Sequence, residues 1–119
     1  MEYKLSEKIK IQYIEGVAGK TFINSEQDIL DFIVFCGYHD TNRIMLHEEN
    51  LSEDFFDLKT QLAGKIMQKL SNYRIKGAAV ISGKRIKGRF GEMVLESKKF
   101  GDMRFFTDKN EAEIWLVKN

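Results

Sequence analysis

His47, Glu48, Glu49, Asp54 and Asp57 place carboxylates on both sides of a single imidazole within one short stretch of the chain. Such a set can hold a divalent cation or arrange a general acid and a general base, because the imidazole exchanges protons near neutral pH and carboxylates ligate hard cations. The spacing matches no established metal motif, so neither a metal nor a cofactor is expected. Acids in the first turn of a helix are favoured by the helix dipole, which accounts for part of the cluster without any site. Asn50 lies in the same loop, and His47, Glu48, Glu49, Asn50, Asp54 and Asp57 together form the first candidate contact surface.

Lys84, Arg85, Lys87 and Arg89 form a basic run that follows Gly83 and contains Gly88. Cations on a glycine-flanked loop suit a phosphate or an acidic partner. Nucleic acid is not expected: the net charge is only +1, and no aromatic residues interleave the cations to stack bases. Gly19-Lys20-Thr21 resembles the end of a phosphate-binding loop, but Ile14 occupies the first glycine position of GxxxxGK[ST]. A connecting turn is the expected role there. Cys36, the one cysteine, excludes an internal disulfide and is expected to be a small buried hydrophobe, while His39 beside Asp40 is expected in a solvated loop.

The elements that must carry these groups follow from periodicity. Tyr3 to Glu15 alternates in part, through Ile9, Ile11 and Tyr13, as a strand pair with a turn at Ser6 to Lys8. Thr21 to Ile23 is a short extended entry to a first helix, capped by Asn24 or Ser25 with Asp28 in its first turn and ended by Gly37. Ile44 to Leu46 then runs directly into His47, so polar groups collect where a parallel strand ends, the usual binding edge of an open α/β sheet. Phe55, Leu58, Leu62, Ile66 and Leu70 recur at steps of three and four, predicting one long amphipathic helix after Ser52 and closed by Tyr73. Ala78 to Ile81 is an apolar run typical of a strand covered on both faces, which calls for helices on both sides of the sheet. A helix around Phe90 to Val94, a strand Met103 to Phe106 and a helix opened by Asp108 and Glu111 complete the chain.

The expected fold is therefore α/β, in the order ββαβαβαβα, with an antiparallel N-terminal strand pair on a mostly parallel sheet. At 119 residues, with 43% hydrophobic and 31% charged residues, residues 1–119 are expected to form a single domain with its own core. The chain contains no proline, so glycines such as Gly77, Gly91 and Gly101 must punctuate it. No apolar run approaches the roughly 20 residues that span a bilayer and no secretion signal is visible, so a cytoplasmic location is the expectation.

This element order, with FINSEQDIL after the second strand and FFDLKTQLAGKIMQKL after the third, resembles the STAS domain of anti-sigma-factor antagonists. The segment HEENLSEDFFDLKTQLAGKIMQKLSNYRIKGAAV is more closely similar to a narrower bacterial group, domain-of-unknown-function family 4180. The STAS resemblance implies a partner-docking fold and, in many members, a phosphorylated hydroxyl following an Asp at the start of the second helix. Asp57 falls at that place, but Leu58 follows it; Thr60 and Ser52 are the nearby hydroxyls. The resulting expectation is a non-catalytic regulatory or protein-interaction module, with an unidentified protein partner or a second copy as a homodimer. His47 to Asp57 would supply the main contacts, with Lys84, Arg85 and Lys87 as a second rim. The alternative is a small-molecule or nucleotide-binding protein, an enzyme included, in which the basic loop holds an anionic group.

Overall fold

The computed structural model describes residues 3–100 and 102–118 and contains one five-stranded sheet in the order β1-β2-β3-β4-β5. The strands are β1 (Tyr3–Lys8), β2 (Ile11–Gly16), β3 (Arg43–His47), β4 (Lys76–Val80) and β5 (Met103–Phe106). β1 pairs antiparallel with β2, and the other neighbours run parallel. The helices are α1 (Glu26–Tyr38), α2 (Glu53–Phe56), α3 (Leu62–Asn72), α4 (Gly88–Phe100) and α5 (Lys109–Val117). Gly101, one of the expected punctuating glycines, lies outside the described residues.

Each parallel connection moves one strand further along the sheet. Crossovers of constant hand then leave their helices on one face. Ile14, Ile44, Leu46, Ala79, Met103 and Phe105 point to that face and share a core with α1, α3 and α4, while Tyr13, Met45 and Ala78 point the other way and are covered by Ala112 and Leu116 of α5 alone. Helices do cover both faces, unevenly. α5 is held at its C-terminal end by sheet cations: Lys76 Nζ donates to the carbonyls of Trp115 and Lys118 at 2.7 and 2.8 Å, and Arg43 Nε donates to that of Leu116 at 3.0 Å. Positive charge there satisfies the last carbonyls and opposes the negative end of the dipole.

Three local expectations are corrected. The hairpin turn lies at Ile9–Lys10 rather than Ser6 to Lys8: Lys8 pairs with Ile11, and both central residues take left-handed φ of 51° and 61°, as a type I′ turn requires. Ser6 instead faces inward. α1 runs through Gly37 to Tyr38, and the left-handed residue beyond its cap is Asp40, with φ of 54°. Its start is as expected: Ser25 accepts from the Asp28 amide and Asp28 accepts from the Ser25 amide, a complete capping box.

The single long helix after Ser52 is instead two, α2 and α3, separated by a turn of 3-10 helix over Leu58–Thr60 and a left-handed Gln61 with φ of 64°. Local polar side chains make the break. Asp57 accepts from the Lys59 amide at 3.1 Å, and the Thr60 hydroxyl lies 2.5 and 2.8 Å from the carbonyls of Asp54 and Asp57 while accepting from the Leu62 amide. Side chains that bond nearby backbone groups compete with the helical ladder. The apolar steps of three and four persist across the break because Phe55, Leu62, Ile66 and Leu70 all bury in the same core.

Ile9 is 78% exposed, so the hairpin turn is free to be re-sequenced. Replacing Ile9 by Asn and Lys10 by Gly, the residues that best tolerate left-handed backbone, is expected to stabilise the protein by about 1 kcal/mol, or roughly 4–8 °C in Tm by differential scanning calorimetry. An unchanged or lower Tm would show that the turn is not type I′.

Candidate functional site

The residues of the acidic and basic loops gather at the C-terminal ends of the parallel strands, where they fall into two separate arrangements. The first is centred on Glu15, the penultimate residue of β2, which the sequence reading did not single out. Alternation along β2 places Tyr13 and Glu15 on the face covered by α5, where Glu15 is only 3% exposed. Ser6 of β1 donates to Glu15 Oε1 at 2.8 Å; His47 Nε2, at the end of β3, and Lys109 Nζ, at the start of α5, lie 2.7 and 3.1 Å from Oε2. Burial alone would raise the Glu15 pKa, but the hydrogen bonds from His47, Ser6 and Lys109 together outweigh it and hold the carboxyl at about 2. An ionised carboxylate only accepts, so the His47 Nε2 facing it carries the hydrogen.

Beside it, the Tyr13 hydroxyl donates to Glu113 Oε2 at 2.5 Å, and Lys8 Nζ lies 3.4 Å from Oε1. Burial, then the Glu113 hydrogen bond, push the Tyr13 hydroxyl well above its ordinary range, so it stays protonated. Ser6, Glu15, His47 and Lys109 thus tie β1, β2, β3 and α5 together at one edge. Strand alternation contained one clue, a charged residue at an inward position two after Tyr13.

Asn50, an expected contact residue, is fully buried. Its Oδ1 accepts from the His47 amide at 2.7 Å, and its Nδ2 donates to the carbonyls of Val17 and Lys20, each at 2.8 Å. A Cβ on Gly16 would fall 2.1 Å from Asn50 Oδ1, so the close approach of these two loops requires glycine. Gly19, with φ of 81°, turns the Gly19-Lys20-Thr21 segment, and the Thr21 hydroxyl donates to the Glu49 carbonyl at 2.6 Å. This segment is a connecting turn that locks the rim.

The second arrangement joins the acidic and basic loops. Glu48 accepts from the Ser82 amide at 2.7 Å, and that bond, ahead of the nearby Arg85 charge, lowers its pKa. Arg85 bridges the loops: Nη2 is 2.6 Å from Glu53, Nε is 3.6 Å from Glu48, and the guanidinium stacks 4.2 Å from the centre of the Phe56 ring. Charge compensation is therefore real for Glu48, Glu53 and Arg85. It stops there. Lys59, Lys84, Lys87 and Arg89 are exposed and, among the described residues, pair with no carboxylate. With Arg85 they line a cleft of about 590 Å³ whose apolar side is Phe56, Leu58 and Phe90; Asp57 is its one acid. The helix break brings Lys59 to this cleft.

The other candidates are distributed differently. Asp54 is exposed, Ser52 Oγ is buried without a hydrogen-bond partner among the described residues, and the Thr60 hydroxyl is occupied by the α2–α3 turn. His39 ends α1 against the Phe35 ring, 4.7 Å between centroids. Cys36 is buried, which pushes its thiol up to about 12, in the range of an inert core thiol. No group of three or more His, Cys, Asp and Glu side chains that could hold a metal ion occurs among the described residues, and no helix among them is long and apolar enough to cross a membrane.

Fold and site together define a small α/β protein with an open, mostly parallel sheet and an uncompensated basic cleft at its C-terminal edge. The family model for a domain of unknown function, DUF4180, matches residues 8–116, nearly the whole chain, and the protein belongs to that family. No curated protein and no solved structure matches it.

Glu15 sets a pH dependence. Its folded pKa of about 2 lies below the ordinary 4.5, so its contribution, about 3 kcal/mol, is fully present above pH ~5 and is lost as pH falls toward 2. Glu15→Gln should destabilise by about 1–3 kcal/mol at pH 7 and by markedly less at pH 3, measured by urea unfolding. An equal loss at both pH values would show that Glu15 is not ionised in the folded protein.

Proposed function

We propose that the protein is a non-catalytic interaction module whose binding surface is the basic cleft, and that the cleft receives an acidic segment of a partner protein. The observation that carries this reading is the imbalance of the rim. Glu48 and Glu53 are spent on Arg85, whereas Lys59, Lys84, Lys87 and Arg89 converge without carboxylate partners on a concave surface with an aromatic wall. Converging cations of this kind attract carboxylate or phosphate groups and accelerate encounter with acidic partners. The resemblance of the element order to STAS domains, which dock partners, points in the same direction.

The reading shifts the expected contacts from His47, Glu48, Glu49, Asn50, Asp54 and Asp57 to Lys84, Arg85 and Lys87, joined by Lys59 and Arg89. Asn50 and His47 hold the edge in shape, and Glu48 holds the basic loop. A second reading has a specific observation behind it: about 590 Å³ is within the size range of small-ligand sites, roughly 300–1,000 Å³, so a phosphorylated metabolite would also fit.

Isothermal titration with a synthetic glutamate-rich peptide and, separately, with inorganic pyrophosphate distinguishes them. The proposal expects the peptide to bind more tightly than pyrophosphate, with affinity falling as salt rises. Replacing Lys84, Lys87 and Arg89 by Glu should weaken it at least tenfold while leaving Tm nearly unchanged. Tight pyrophosphate binding with none to the peptide would favour the small-ligand reading; binding indifferent to the triple substitution would reject the cleft.

A further inference from the structure

α3 packs against α1 and α4 packs against β5, leaving an open trough between α3 and α4. Met67, Met93 and Met103 line it, in a volume of about 430 Å³. Methionine side chains are flexible and polarisable, and surfaces built from them adapt to different apolar partners. Gly64 of α3 forms part of the wall. Nothing lies within 4 Å of where its Cβ would be, and its φ is not left-handed, so neither crowding nor backbone geometry demands glycine there. Glycine inside a helix is destabilising relative to alanine. What it provides at this position is room in the trough.

The trough is not isolated. It continues past Leu58 and Met93 to Arg89 and opens into the basic cleft, which shares Leu58 and Arg89 with it. Glu96 lines both this trough and the stretch that reaches Arg89, and Asp102 stands in the part away from the basic cleft. Among the described residues neither carboxylate forms an ion pair. Along one continuous surface the cations of the cleft give way to methionines flanked by Lys65, Glu92 and Glu96, with Asp102 beyond them.

We propose that this trough docks an amphipathic helical segment of a partner protein, its acids toward Lys84 and Lys87, its apolar stripe over the methionines, and its bases toward Glu96 and Asp102. The proposal rests on the basic-cleft reading and adds the rest of the partner's chemistry. A helix laid between two helices buries its apolar stripe in their groove, and acids near its N-terminus with bases near its C-terminus are the charge order its own dipole favours. The complementarity fixes orientation as well as position.

The test is a selection from a random-peptide display library on the whole chain, followed by affinity measurement of the winning peptides. The expected winners carry acids at one end, Leu, Ile or Met at helical spacing, and bases at the other. Gly64→Trp, which fills the trough from an exposed helix position, should weaken them at least tenfold with the fold retained by circular dichroism. A double substitution of Glu96 and Asp102 by Lys should select against the basic end while leaving the acidic end preferred. No enrichment, or winners that bind Gly64→Trp equally well, overturns the proposal. Winners that need only acids and ignore Gly64→Trp overturn the trough and leave the basic cleft standing, whereas apolar winners with no acid requirement overturn the cleft reading and the charge order with it. Self-association abolished by Gly64→Trp would assign the trough to a second copy of this chain and also overturns the proposal.

Discussion

A single buried carboxylate constrains the C-terminal end of the parallel strands in this protein. Burying Glu15 is unfavourable unless its charge is met by donors, and the donors come from Ser6, His47 and Lys109, on three different elements. The condition for burying one group is thus the convergence of β1, β3 and α5 on the end of β2. Buried polar networks of this type contribute modestly to stability when complete and are very costly when broken, which gives the edge one allowed arrangement. The lone cover of α5 on its face depends on the same contacts, together with the cations that hold its other end.

From that fixed edge the rim follows in steps. His47 leads directly into the Glu48–Asn50 turn, and Asn50 folds back to bond the His47 amide and the loop after β2, a closure that Gly16 alone can accommodate. Glu48 is then aimed at the Ser82 amide and at Arg85, fixing the basic loop after β4. The break between α2 and α3 turns Lys59 toward the same place. Ring contacts of Phe55 and Phe56 with Phe90 pin α2 to α4 beneath the cleft. The backbone of the cleft is consequently held by contacts from several elements, while Lys59, Lys84, Lys87 and Arg89 stand exposed on the rim.

Much of this architecture was legible in the chain. β5 spans the expected Met103–Phe106, Ser25 with Asp28 and then Asp108 mark real helix starts, and the Ala78–Ala79 run is a strand covered on both faces. These signals are local. The misjudged features are those in which a non-local or side-chain interaction prevails. The amphipathic period runs unbroken from Phe55 to Leu70, yet Asp57 and Thr60 redirect the backbone between them. Glu15 looked like the end of a strand because pairing with β3 and docking of α5 are invisible in its neighbours. The acidic loop stood out by composition, yet within it Glu48 is occupied by Ser82 and Arg85 and Asn50 by backbone groups, while Asp54 stays exposed. The run of cations after Gly83 was visible in the chain; its meeting with Lys59 required the fold.

Labour is divided at one edge: Glu15, His47 and Asn50 form the scaffold, and the basic cleft is the proposed binding surface. The most direct measurement is a ¹H–¹⁵N correlation titration of the protein with the acidic peptide. Saturable shifts are expected of the Lys59 amide and of the amides from Gly83 to Phe90, with the amides around Glu15 and His47 unmoved. Shifts centred on His47 and Glu15, or no saturable shift at the basic loop, would contradict that division.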